Sequence, residues 1–122
     1  MTKILLIEDD PSLRSLYEAA FSKAGFEVLS ATDGDEGLTK IKTMNPNAVL
    51  LDLVIPRMNG FEVLEELKND SYAKNIPVFI FTSLATDENA EEALQRGATK
   101  VISKNDHEPH EVVEMIKNFL SS

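Results

Sequence analysis

Ile4-Leu5-Leu6-Ile7-Glu8-Asp9-Asp10-Pro11 opens as four consecutive apolar residues and closes as three carboxylates and a proline. A continuous apolar run of this length reads as a strand covered on both faces, as in a parallel sheet. Proline is favoured at the first helical position, and an aspartate just before it can cap the helix. The stretch therefore reads as a strand passing through an acidic turn into a helix, with Asp10 as N-cap rather than ligand.

The same unit recurs outward along the chain. Further apolar runs fall at residues 26–29, 48–51, 78–81 and 101–102, at intervals of about two dozen residues, the length of a strand, a helix and two turns. The first helix runs from Pro11 to a stop at Gly25, with Leu13, Leu16, Ala20 and Ala24 on one face. A second covers 34–44 and is closed by Asn45-Pro46. A third covers 60–69 with Phe61, Leu64 and Leu67 inward, and a fourth covers 86–96 before Gly97. The fifth covers about 109–120, with Val112, Ile116 and Phe119 apolar. Phe21, Phe61, Phe79 and Phe119 read as core. A (βα)5 order of this kind requires a mostly parallel sheet with helices on both faces.

Composition bounds the function. The 122 residues fit one domain, 1–122, with 43% hydrophobic and 27% charged residues. No cysteine is present, which excludes disulfides and thiolate chemistry. The apolar start is too short for a signal peptide or membrane span, so a cytoplasmic location away from membranes is expected. A formal charge of −9 argues against direct nucleic-acid binding. Nor is an effector domain expected within these residues, because Ser121 and Ser122 follow the fifth helix directly.

Sites in open parallel sheets form beyond the carboxyl ends of the strands. Glu8-Asp9-Asp10 ends the first strand, Asp52 the third, Thr82-Ser83 the fourth and Lys104 the fifth. Crowded carboxylates raise one another's pKa unless they share a cation. An oxygen-only set suits a hard ion such as magnesium. A carboxylate so placed can act as a nucleophile toward phosphorus, with a lysine and a hydroxyl to stabilise phosphoryl oxygens. Ser83 reads equally as an opening for a small reactant and as simple packing. His107 and His110 lie in a charged stretch and read as solvated.

Four motifs carry a family resemblance across the whole chain: Ile4–Asp10, Asp52-Leu53-Val54-Ile55-Pro56-Arg57-Met58-Asn59-Gly60, Thr82-Ser83, and Gly97-Ala98 leading to Lys104. Together they resemble the response-regulator receiver domain of two-component signalling, in its chemotaxis-regulator form. The resemblance implies a doubly wound, flavodoxin-like sheet of order 2-1-3-4-5. It implies Asp52 as phosphoacceptor, with Asp9 a direct Mg2+ ligand, Glu8 acting through water and the Val54 carbonyl as a further ligand. Thr82 would be the switch hydroxyl and Lys104 the phosphate-pairing lysine. The implied donor is a histidine kinase or phosphotransfer protein. The implied reader is a downstream protein target on the face around helix four, strand five and helix five, and a phosphorylation-dependent dimer is left open. Such a domain would catalyse its own phosphorylation and dephosphorylation rather than turn over a substrate.

Departures from the pattern carry expectations too. Receivers usually have a cis-joined proline after the lysine, whereas Asn105 follows here. A non-proline cis bond costs about 2.5–4 kcal/mol, so a trans bond is expected. A haloacid-dehalogenase-type phosphatase is disfavoured because Val54 stands where a second acid is needed. A flavodoxin-like cofactor carrier is disfavoured because the first loop is acidic.

Overall fold

A computed structural model describes residues 1–121. Its elements alternate strictly: β1 Lys3–Ile7, α1 Pro11–Lys23, β2 Glu27–Ala31, α2 Gly34–Met44, β3 Ala48–Leu51, α3 Gly60–Lys68, β4 Val78–Thr82, α4 Asp87–Gln95, β5 Lys100–Ser103 and α5 Pro109–Leu120. All pairings are parallel and the sheet order is β2-β1-β3-β4-β5. The chain thus has the parallel sheet covered on both faces expected from its alternating pattern, in the doubly wound, flavodoxin-like order that the family resemblance implies.

Side-chain alternation along the central strands divides the core into two layers. On one face Leu5, Ile7, Val49, Leu51, Val78 and Ile80 meet Ile41 of α2, Val63, Leu64 and Leu67 of α3, and Ala93 of α4. On the other, Ile4, Leu6, Leu50, Phe79, Phe81 and Ile102 meet Tyr17 and Phe21 of α1 and Val112, Val113 and Ile116 of α5. Burial on both faces is why β1, β3 and β4 read as unbroken apolar runs.

The helix ends follow their local chemistry. The Asp10 carboxylate accepts the Ser12 and Leu13 N–H groups at 3.0 and 3.3 Å, so it caps α1. Asp33, Asn59 and Thr86 cap α2, α3 and α4 in the same manner. Past α1, Gly25 takes φ +96°, a left-handed turn in which a Cβ would be strained. No peptide bond among the described residues is cis, so Lys104–Asn105 is trans.

The structure corrects several sequence expectations. Asn69 and Arg96 are C-caps rather than the last turns of α3 and α4, and Thr86 is an N-cap. The buried face of α1 is carried by Tyr17 and Phe21, while Leu16 is 51% exposed. Larger aromatic side chains displace leucine from the core because they remove more apolar surface from water. Phe119 packs edge-on to Phe79 at 5.3 Å yet remains 46% exposed, and Phe61 is only half-buried. His107 is half-buried, although His110 is exposed.

Candidate active site

Backbone pairing continues one step past the strands and delivers the polar residues to one place. The Glu8 N–H donates to the Ala31 carbonyl at 3.0 Å and the Asp52 N–H to the Ile7 carbonyl at 3.2 Å. The Lys104 N–H donates to the Thr82 carbonyl at 3.0 Å. Glu8 and Asp52 therefore leave the adjacent strands β1 and β3 at the same level, and Lys104 leaves β5, on the far side of β4, two residues further along. Gly60 closes the far side: its N–H donates to the Leu53 carbonyl at 3.0 Å, and a Cβ there would lie 2.5 Å from the Asp52 carbonyl oxygen. Only glycine lets the start of α3 approach this backbone so closely.

Glu8 and Asp52 are buried, Asp9 is exposed, and carboxylate oxygens of all three lie within 4.8 Å of one another. The Lys104 ammonium reaches between two of them, at 2.5 Å from Glu8 Oε1 and 2.7 Å from Asp52 Oδ2. The second Glu8 oxygen accepts the Asp10 N–H at 3.1 Å, and Asp52 Oδ1 accepts the Val54 N–H at 3.3 Å. Thr82 is fully buried, and its hydroxyl oxygen accepts the Leu84 N–H at 3.1 Å. The cation that the crowded carboxylates require is thus supplied within the chain, by Lys104.

Burial pushes the Glu8 carboxyl above its usual range, outweighing the Lys104 hydrogen bond and charge that pull it down. For Lys104, burial pulls the ammonium pKa down, but hydrogen bonds to Asp52 and Glu8 and their charges together raise it. Lys104 accordingly remains charged across the neutral range. Three carboxylates against one ammonium still leave local negative charge, and every donor in the cluster is a hard oxygen. This set fits a divalent cation such as magnesium.

Of the residues singled out from sequence, Glu8, Asp9, Asp52 and Lys104 converge by side chain, Thr82 is joined to Lys104 through its backbone carbonyl, and Val54 meets Asp52 through its N–H. Two further contributors were not identified from sequence. Arg14, one turn into α1, donates from Nη1 to the Glu8 carbonyl at 3.0 Å. Phe81 places its ring under Lys104, with Nζ 5.5 Å from the ring centroid. The Arg14 contact depends on how α1 leaves the acidic turn, which residue spacing alone does not report.

The model of the response regulator receiver domain family matches residues 4–117. The chain belongs to the response regulator receiver family. A Synechocystis relative, the DNA-binding dual master transcriptional regulator RpaA, is 32% identical over 95% of this chain but only 46% of its own length. The chain spans about half the length of the first curated relatives it matches. The solved structure of the chemotaxis response regulator CheY4 of Vibrio cholerae superposes with TM-score 0.89, at 27% identity and 97% and 98% coverage of the two chains. The receiver domain of the sensor histidine kinase PA1611 of Pseudomonas aeruginosa, solved with magnesium coordinated in its active-site cleft, superposes with TM-score 0.89 at 22% identity, covering 99% and 98%. The chain is thus a receiver of two-component signalling. Among the described residues, no helix is long and apolar enough to cross a membrane.

Proposed function

We propose that residues 1–122 form one receiver unit that takes a phosphoryl group on Asp52 and presents the change to a partner. The observation that carries this reading is the Lys104 ammonium held between Glu8 and Asp52 at the strand ends. A bare carboxylate turn would have no reason to bring together three acids, a buried hydroxyl and a lysine from four separate segments.

In this reading Glu8, Asp9, Asp52 and the Val54 carbonyl hold the magnesium ion. A magnesium ion held there would supply positive charge against the phosphoryl oxygens. An Asp52 carboxylate oxygen forms the new O–P bond as the N–P bond of a phosphohistidine breaks, and the electron pair leaves with the imidazole nitrogen. Lys104 then pairs with one phosphoryl oxygen, and the Thr82 hydroxyl donates to another. Turning Thr82 toward the phosphoryl group draws on its contact with Leu84 and so moves the loop that leads into α4. The donor is a histidine kinase or phosphotransfer protein. The reader is a downstream protein at α4, β5 and α5, and a phosphorylation-dependent dimer through the same face is compatible with it. The domain catalyses its own phosphorylation and dephosphorylation, and it works in the cytoplasm.

Incubation with a small acyl phosphate and magnesium, followed by intact mass, tests the acceptor. The expected result is one added phosphoryl group in wild type and none in Asp52→Asn. Equal modification of both would remove the assignment. Without metal, Asp52→Asn should also raise the melting temperature, because it leaves Lys104 paired with Glu8 and removes one of three crowded charges. Magnesium should stabilise wild type more than Asp9→Ala, by mass action.

A further inference from the structure

Phe81 lies on β4 immediately before Thr82 and is 4% exposed. Its ring packs tilted against the Tyr17 ring, with centroids 4.8 Å apart, and both belong to the layer beneath α1 and α5. The Lys104 ammonium stands 5.5 Å from the Phe81 centroid while its hydrogen bonds go to Glu8 and Asp52. An ammonium within about 6 Å of a ring face is attracted by the ring quadrupole, and more strongly when withdrawn from water. Here the lysine side chain is only 14% exposed.

We propose that Phe81 is a positioning residue for phosphoryl transfer, its ring face holding the Lys104 ammonium over Asp52 while the lysine's carboxylate partners change. The inference rests on the reading of Asp52 as acceptor. During transfer both hydrogen-bond partners of Lys104 change state. Asp52 exchanges a carboxylate charge for an acyl phosphate, and Glu8 would share in holding the cation. Neither event alters the ring. Phe81 is fixed from behind by Tyr17, and the Lys104 backbone is tied to the next residue of the same strand through the Thr82 carbonyl. The ring is therefore the one contact to the ammonium that persists from the resting to the phosphorylated site. It narrows the lysine's search for the phosphoryl oxygen, an orientation effect rather than a bond to the reacting atoms.

The bland alternative is that Phe81 only fills core volume. Phenylalanines of increasing ring fluorination at position 81 separate the two, since they keep the shape but weaken and then reverse the attraction of the ring face. The rate of Asp52 phosphorylation by a small acyl phosphate should fall stepwise with fluorination. Phe81→Leu should slow it roughly threefold to tenfold, because only attraction that is stronger in the transition state counts. In a Lys104→Met background the fluorination slope should vanish. NMR adds a readout independent of the rate: the Lys104 ε-methylene protons should be shifted upfield by the ring in the resting protein and remain so after phosphorylation. A flat fluorination series, an equal slope without Lys104, or loss of the ring-current shift on phosphorylation would each overturn the proposal. If Lys104→Met itself leaves the rate unchanged, or Asp52 is not modified, the underlying assignment of the site has failed instead, and the inference falls with it.

Discussion

The two faces of one sheet are packed with different chemistry. Beneath α1 and α5 lie all five buried aromatic residues of the described chain: Tyr17, Phe21, Phe26, Phe79 and Phe81. Beneath α2, α3 and α4 the buried layer is aliphatic, with Ala31, Ala73, Ala93 and Ala98 among its members. β4 shows the division within one strand, sending Val78 and Ile80 to one layer and Phe79 and Phe81 to the other. The rings on this side meet in three pairs, Tyr17 with Phe81, Phe21 with Phe26, and Phe79 with the half-exposed Phe119, at 4.8, 5.2 and 5.3 Å. On the aliphatic side α4 buries only Ala93, so little apolar area holds it to the sheet. The face that supports Lys104 is stiffly packed, whereas the helix proposed to carry the signal is lightly attached. A switch needs that asymmetry, because a site that must stay in register and a surface that must move cannot share one packing density.

The largest effect expected from this contrast is on stability. Phe21→Ala, at the centre of the aromatic layer, should cost about 3–5 kcal/mol in denaturant unfolding. A loss near that of an exposed residue would mean that the layer is not the rigid half.

Tyr17 gives the same layer an alkaline weakness. Burial first, and then the carboxylates of Glu108 and Glu111, push its phenol up to about 12 from an ordinary 10. The folded state holds the proton more tightly than the unfolded chain. Its contribution to stability is therefore complete below about pH 10 and is lost as pH rises through about 12. Tyr17→Phe should flatten the fall in stability across that window. An unchanged slope would place the alkaline loss elsewhere.

On the aliphatic side the expected effects are smaller and kinetic. Val54 and Leu84 stand on the loops leading into α3 and α4 and are 56% and 48% exposed. Neither side chain can hydrogen-bond a water, so on the proposed reading of Asp52 as acceptor the phosphorylated state is expected to be long-lived. Val54→Asn combined with Leu84→Glu should shorten that lifetime by roughly tenfold, less than a proton-transfer group contributes. Release of phosphate from the double variant checks it, and an equal or slower rate would count against the argument.

The smallest effect belongs to the outer face of α4. Leu94→Ala, at a half-exposed position, should change stability by less than about 0.5 kcal/mol. A substantially larger loss would show that α4 is held more firmly than its burial indicates.

Sequence alone determined the alternation of strands and helices, because unbroken apolar runs such as 4–7 and 48–51 occur only where both faces are covered. It determined the caps at Asp10 and the stop at Gly25, whose chemistry is local. It also indicated where the polar residues would gather, since parallel strands place every carboxyl end on one side. Only the tertiary structure decided which apolar residues of α1 face inward. Leu16 and Tyr17 are neighbours in sequence, yet Tyr17 is buried against Phe81 while Leu16 is half-exposed. Likewise only the structure decided what Lys104 does at rest. Its partners, Glu8, Asp52 and Phe81, lie on three other segments, and a link between residues as far apart as 8 and 104 leaves no mark in local spacing. Local rules set each element because hydrogen bonding and capping act over a few residues, whereas packing and charge pairing act across the fold and exist only once it has closed.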